Sequence, residues 1–244
     1  MRARAGLAVE LDGRGHSVIR RLRSAAPLTL MPDRDRGAAA VVRLLNSAAA
    51  PLAGDDLELT VRVGAGARLE LLGVAATLAL PGHRFEPSRF RLTLDLGAGA
   101  EMSYLPEPTV VTGRARHRSV LRAELAGAAG LRCREVLVLG RTGERPGRLT
   151  TETHVCRAGV PVLRQCLEIG DEVLDGSLAR FAGRRVLATE IVVSDGPPPA
   201  PASGDWWSRS PLAAGGWIAT ALADDAVTAL RDLDEARNPT GSVR

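Results

Sequence analysis

The chain has 244 residues, enough to bury a substantial core within one β-rich domain. A formal charge of +4 and a sequence pI near 9.7 invite a nucleic-acid partner, but all 32 basic residues are Arg, scattered among 28 acidic ones with no block of five. One Tyr and three Phe cannot supply the aromatic platforms that stack single-stranded bases, so nucleic acid is excluded as a partner.

Strand signals begin early. Leu7, Val9 and Leu11 alternate with small or charged residues, and Leu57, Leu59, Val61 and Val63 alternate with Glu58, Thr60 and Arg62. The next segment carries the most informative feature. Val61-Arg62-Val63-Gly64-Ala65-Gly66-Ala67-Arg68-Leu69 is nearly repeated by Leu94-Asp95-Leu96-Gly97-Ala98-Gly99-Ala100-Glu101-Met102. A weaker echo runs from Glu124 to Leu131. Each copy reads as strand, tight glycine turn, strand, and Leu69 and Met102 hold equivalent places. Such recurrence predicts stacked units, each burying a face that its neighbour supplies. Three ordinary hairpins are the alternative. Further strands are expected at Leu92–Leu96, Val120–Leu125, Val136–Leu139, Leu149–Cys156, Val160–Ile169 and Val186–Val193, with turns at nearly every Pro-Gly or Asp-Gly between them. Residues 32–40 look irregular. The cluster Arg114, Arg116, His117, Arg118 and Arg122 reads as a solvated strand face.

Helix signals are few. A short helix is expected over Val173–Phe181, weakened by Gly176. A second, over 224–237, would be capped at Asp224-Asp225, carry Val227, Leu230 and Leu233 on one stripe, and end near Asn238-Pro239. Residues 195–205, rich in Pro, read as a surface loop unable to pair in a sheet, and the chain from about 238 as frayed. The fold class is therefore mainly β: one domain over 1–244, a layered β scaffold with about two short helices.

Three Cys do not suggest a disulfide framework, and no run approaches the ~18–20 apolar residues of a membrane span. A cytoplasmic protein with reduced thiols and no membrane partner is expected. The common catalytic and phosphate-binding motifs do not occur in the sequence. His154 and Cys156 share a strand face and could give two ligands to a soft or borderline metal, or could be a packed Cys beside a half-exposed His. Cys133 and Cys166 read as buried and inert. Asp55 opens a strand after Gly54. Glu107, held extended between Pro106 and Pro108, suits a partner contact or a kinked crossing between layers. Glu135 lies among apolar strand residues and needs a partner, for which an Arg is the usual choice. Arg141 and Glu144 fall in the turn beyond, either solvated, in a buried polar cluster, or lining a passage.

In their order, these pieces resemble the UreD (UreH) family of urease accessory proteins. The resemblance rests on Leu45-Asn46 with Pro51-Leu52-Ala53-Gly54-Asp55, on the glycine turn at 63–67 followed by Ala75-Ala76-Thr77, on Tyr104-Leu105-Pro106-Glu107-Pro108-Thr109, and on Glu135 with Leu139-Gly140-Arg141 and Gly143-Glu144. It runs in register to about residue 170 and thins afterwards. Leu78 and Ala79 replace the family's common Lys and Tyr, Ala53 replaces a Gly, and Gly216–Ala221 lacks the usual Arg. The resemblance implies stacked β-sheets in a β-helix-like (solenoid) arrangement, and a non-enzymatic scaffold that docks on the urease apoprotein with the UreF and UreG accessory proteins. It also implies help in delivering nickel to the carbamylated-lysine dinickel site, with Ni2+ held transiently and no permanent cofactor. Asp55, Thr77, Glu135, Arg141 and Glu144 become candidates for a polar passage, and Glu107 and Pro108 for partner contact. Competing expectations are a generic β-rich adaptor and a β-solenoid carbohydrate-active enzyme using Asp55, Glu135 or Glu144 as acid and base.

Overall fold

The computed structural model describes residues 1–33 and 37–238; the expectations for 34–36 and for the tail beyond 238 lie outside the described residues. Strands β1 (Arg2–Leu11), β2 (Ser17–Arg23), β3 (Leu28–Pro32) and β4 (Ala40–Asn46) lead into β5 (Asp56–Val63), β6 (Arg68–Gly73), β7 (Thr77–Ala79), β8 (Ser88–Leu96), β9 (Glu101–Leu105), β10 (Thr109–Val111), β11 (Arg116–Leu125) and β12 (Gly130–Leu139). Then come β13 (Arg148–Arg157), β14 (Val160–Ile169), helix α1 (Glu172–Asp175), β15 (Val186–Val193), β16 (Ala202–Ser203), β17 (Trp207–Pro211), β18 (Trp217–Ala223) and helix α2 (Ala226–Arg237).

The strands form two sheets. One runs β14-β13-β11-β8-β5-β1-β2; the other runs β16-β17-β18-β15-β12-β9-β6-β4-β3, with β7 and β10 paired alongside. Successive strands cross from one sheet to the other, so β5–β6, β8–β9 and β11–β12 make coils whose equivalent strands pair in parallel. This is a solenoid. Antiparallel strands finish each sheet: β2 and β3 at one end, β14 and the β15–β18–β17 run at the other.

The repeated phrase is the device that stacks the coils. Leu69 pairs with Met102, and Met102 pairs with Leu131, so the weak third copy is a true coil. The turns bond to one another: the Gly97 amide donates to the Val63 carbonyl at 2.8 Å, the Gly66 amide to Ala98 at 2.9 Å and the Ala126 amide to Leu96 at 2.9 Å. Gly97 has to be glycine, because a Cβ there would lie 2.6 Å from the Ala65 nitrogen in the coil below. Inward residues of β5 and β8, including Leu59, Val61, Leu92, Leu94 and Leu96, are almost wholly buried. Each such side chain contributes roughly 1.5–3 kcal/mol on leaving water.

Several expectations are corrected. The 195–205 segment does pair, since Ala202 and Ser203 form β16 against β17; Pro is compatible with the flanks of an edge strand. The expected helix over 173–181 shrinks to Glu172–Asp175, and turns take over where Gly176 follows. Helix α2 is capped by Asp225, whose carboxylate accepts from the Thr228 amide at 2.9 Å, but its buried stripe is Ala229, Leu233 and Ala236. Val227 faces solvent. Strands β2, β3, β4, β17 and β18 add to those read from the sequence.

Candidate functional site

The inner faces of the later coils depart from the leucine pattern. In β11 the inward set begins His117, Ser119 before Leu121, and in β13 it reads Leu149, Thr151, Thr153, Val155. Across from them, β12 presents Cys133, Glu135 and Leu137, and β15 presents Thr189 beside Glu135. Short polar side chains here fill less space than leucines, and a cavity of about 120 Å³ opens between the sheets. That volume takes several ordered waters, and its wall offers hydroxyl partners for them. Asn46, Thr77 and Glu107 also border it, and Glu107 is exposed, so this part of the wall reaches solvent.

Glu135 is the carboxylate of the interior. It is half-buried and lines the cavity. The Thr151 hydroxyl lies 3.0 and 3.1 Å from its two oxygens, a bond that crosses from one sheet to the other. Among the described residues no Arg pairs with it. Desolvation without a cation pushes the Glu135 pKa up to about 7, while the Thr151 hydrogen bond pulls the other way. The carboxyl therefore exchanges a proton near neutrality. Burial also raises the Cys133 thiol and the Tyr104 phenol, so both stay protonated beside it.

His117 is the residue the sequence misplaced. It was grouped with arginines on a solvated face, yet strand alternation turns it opposite to Arg116 and Arg118, into the core. Its Nδ1 lies 2.8 Å from Ser88 Oγ, which sits 3.3 Å from the Arg116 carbonyl oxygen. Burial lowers its pKa to about 4, so the ring is neutral at pH 7. The signal was available in the alternation: if Arg116, Arg118 and Arg122 face water, then His117 and Ser119 cannot.

Of the other candidates, Thr77 and Glu107 border this cavity, whereas Asp55, Arg141 and Glu144 lie elsewhere. Asp55 is buried at the start of β5, where it pairs with the Met1 amino group and accepts from the Leu52 amide at 2.9 Å. It borders a separate pocket with Arg84 and Arg89. Arg141 and Glu144 pair in an exposed turn, Nε to Oε2 at 3.0 Å, and that guanidinium holds the Glu144 pKa down at about 2. Thr77 and Glu107 border the cavity, with Asn46 Nδ2 3.4 Å from Thr77 Oγ1. The Pro108 carbonyl accepts the Thr77 amide at 2.9 Å, and the segment presenting Glu107 joins β9 to β10, which both pair with β12.

His154 lies on the outer face of β13, 3.5 Å from Glu152, and Cys156 stands beside Glu124. No group of three or more His, Cys, Asp and Glu among the described residues is placed to hold a metal ion. Cys133 is buried as expected, but Cys166 is exposed because it lies on the outer face of edge strand β14. No helix among the described residues is long and apolar enough to cross a membrane.

A second polar cluster was not foreseen. Glu190, fully buried, accepts from Arg237 at 3.0 and 2.9 Å and from Arg132 at 3.1 Å, which fastens α2 to the second sheet. Arg209 donates to the Ala236 carbonyl at 3.0 Å and closes the end of the same helix.

The comparisons with known proteins agree with this architecture. The family model described as UreD urease accessory protein matches residues 1–239, well past the point where the sequence resemblance thins. The chain is 56% identical to "Urease accessory protein UreD 1" of Saccharopolyspora erythraea over 240 residues, covering 97% of this chain and 94% of that protein. It is 42% identical to the UreD of a Parafrankia strain, covering 100% and 90% of the two chains. It is 36% identical to that of Streptomyces avermitilis, covering 99% and 98%. On the whole-chain match and these identities, the protein belongs to the UreD family of urease accessory proteins.

Proposed function

We propose that this chain is a maturation scaffold for urease: it docks on the urease apoprotein together with the UreF and UreG accessory proteins, and its polar cavity serves as part of a path for Ni2+ toward the urease active site. The observation that carries the reading is Glu135, a carboxylate with a hydroxyl partner and, among the described residues, no cation partner, set at a cavity inside a leucine-lined solenoid. An ion in transit needs weak, successive oxygen contacts and water, since a closed four-ligand cage would hold it. Glu135 near its titration point can accept a cation by releasing a proton. Docking is supported by apolar side chains left in solvent: Phe85 and Leu178 are each 89% exposed, and Val173 is 83% exposed.

The solenoid-enzyme reading is disfavoured by placement. Asp55, Glu135 and Glu144 fall in three separate surroundings, so no acid–base pair faces one substrate. The test is reconstitution: urease apoprotein, UreF, UreG, bicarbonate and Ni2+, with and without this chain. Nickel-dependent activity is expected to rise only when the chain is present, and Glu135→Gln is expected to reduce it. Equal activation without the chain would sink the reading.

A further inference from the structure

Beyond Glu135, the cavity holds a group that neither the family resemblance nor the relatives' names assign to any role. We propose that His117 is a nitrogen donor to the cation inside the cavity, binding it through Nε2 as a separate station from Glu135; this rests on the reading of the cavity as a metal path. Three observations carry it. His117 is only 6% exposed, and it lines the cavity. Its Nδ1 is fixed by Ser88, while Nε2 has no hydrogen-bond partner among the described residues. The strand register then sets it next to the Glu135 site: His117 lies beside Leu149 and Ser119 beside Thr151, which bonds Glu135. One inward position along a strand is about 7 Å.

The Nδ1–H tautomer is the one that satisfies both contacts of Ser88. Ser88 has one hydroxyl proton and two neighbours, the Arg116 carbonyl oxygen and His117 Nδ1. The carbonyl can only accept. When Ser88 donates to it, Nδ1–H donates to Oγ, and Nε2 is left with a free lone pair. This is the arrangement in which a hydrogen bond at one ring nitrogen presents the other to a metal. The neutral state that ligation needs is already imposed by burial.

The chemistry selects the class of ligand. Imidazole nitrogen with a carboxylate nearby suits borderline ions such as Ni2+, Co2+ or Zn2+, whereas Mg2+ and Ca2+ prefer all-oxygen shells. An organic molecule is disfavoured, because 120 Å³ falls short of the roughly 300 Å³ of the smallest ligand pockets. The spacing keeps the ion mobile, since no described cluster closes a cage around it.

The test uses the full chain with 15N-labelled histidine, titrated with NiCl2 at pH 7. Of four imidazoles, the His117 ring signals are expected to broaden at substoichiometric Ni2+ and to stay unchanged with MgCl2. Ser88→Ala, which frees Nδ1, is expected to weaken that response about tenfold, the lower end of the loss for a ligand's hydrogen-bond partner. In reconstituted activation, His117→Gln is expected to slow nickel delivery with the fold intact by circular dichroism. Broadening confined to His16, His83 or His154 would overturn the proposal. If His117→Gln activates at the parental rate while Glu135→Gln does not, the His117 station is wrong and the path stands. If both activate at the parental rate, the path itself is wrong.

Discussion

The β5–β8 coils and the β11–β13 coils share one backbone plan and differ in what points inward. In the first, Leu57, Leu59, Val61, Leu92, Leu94 and Leu96 fill the space between the sheets. In the second, His117 and Ser119 stand level with Ser88 and Phe90, Thr151 and Thr153 level with Phe90 and Leu92, and Glu135 faces them, while Leu121, Ala123 and Leu125 keep the remaining levels apolar. Parallel ladders and turn-to-turn hydrogen bonds continue through both. The solenoid therefore tolerates polar residues at core positions because neighbouring layers carry the stability. A leucine layer stabilises; a threonine layer makes room.

That contrast can be broken first at its apolar side. Leu94→Ala leaves a cavity among side chains that cannot collapse, and is expected to cost about 3 kcal/mol in urea denaturation. A loss below about 1 kcal/mol would mean that the leucine layers are not what holds the stack.

The cavity side has the opposite sign. Glu135 has a folded-state pKa near 7, above its unfolded value near 4.5, so its unfavourable burial as an anion is absent below pH 4.5 and complete above pH 7. Glu135→Gln is expected to stabilise the protein at pH 8 by on the order of 2–3 kcal/mol, with the gain vanishing at pH 4.5, while nickel delivery falls. Denaturation midpoints across that range measure it; a destabilised variant at pH 8 would show that the carboxylate is held by a cation.

His117 sharpens the comparison from the acid side. Its pKa falls from 6.5 unfolded to about 4 folded, so its contribution is present above pH 6.5 and lost as pH falls toward 4. His117→Gln is expected to reduce the stability difference between pH 7 and pH 5 by about 2 kcal/mol. An unchanged difference would place the ring in water.

The smallest effect is expected at the exposed turn. Arg141→Ala removes an ion pair in solvent and should leave the denaturation midpoint unchanged. If it nonetheless halves urease activation, the Arg141–Glu144 turn acts as a contact with a partner.

Much of the plan is legible in the linear chain. The glycine phrase fixes coil boundaries because positive φ and close turn stacking leave few residues that fit, and Gly66, Gly99 and Gly127 all adopt that backbone. Alternation fixes which strand residues face inward, and Asp225 marks a helix start through its own side chain. These are local requirements, met by residues close in sequence. The cavity and its chemistry are not local. Glu135 and Thr151 meet across two sheets, His117 finds Ser88 on the neighbouring coil, and Glu190 is neutralised by Arg132 and Arg237 from a distant strand and a helix. Spacing along the chain contains no measure of the gap between sheets, and desolvation depends on everything packed around a group. So the sequence determined a layered β scaffold and its family, and only the tertiary structure decided which polar side chains share an interior and which remain in water.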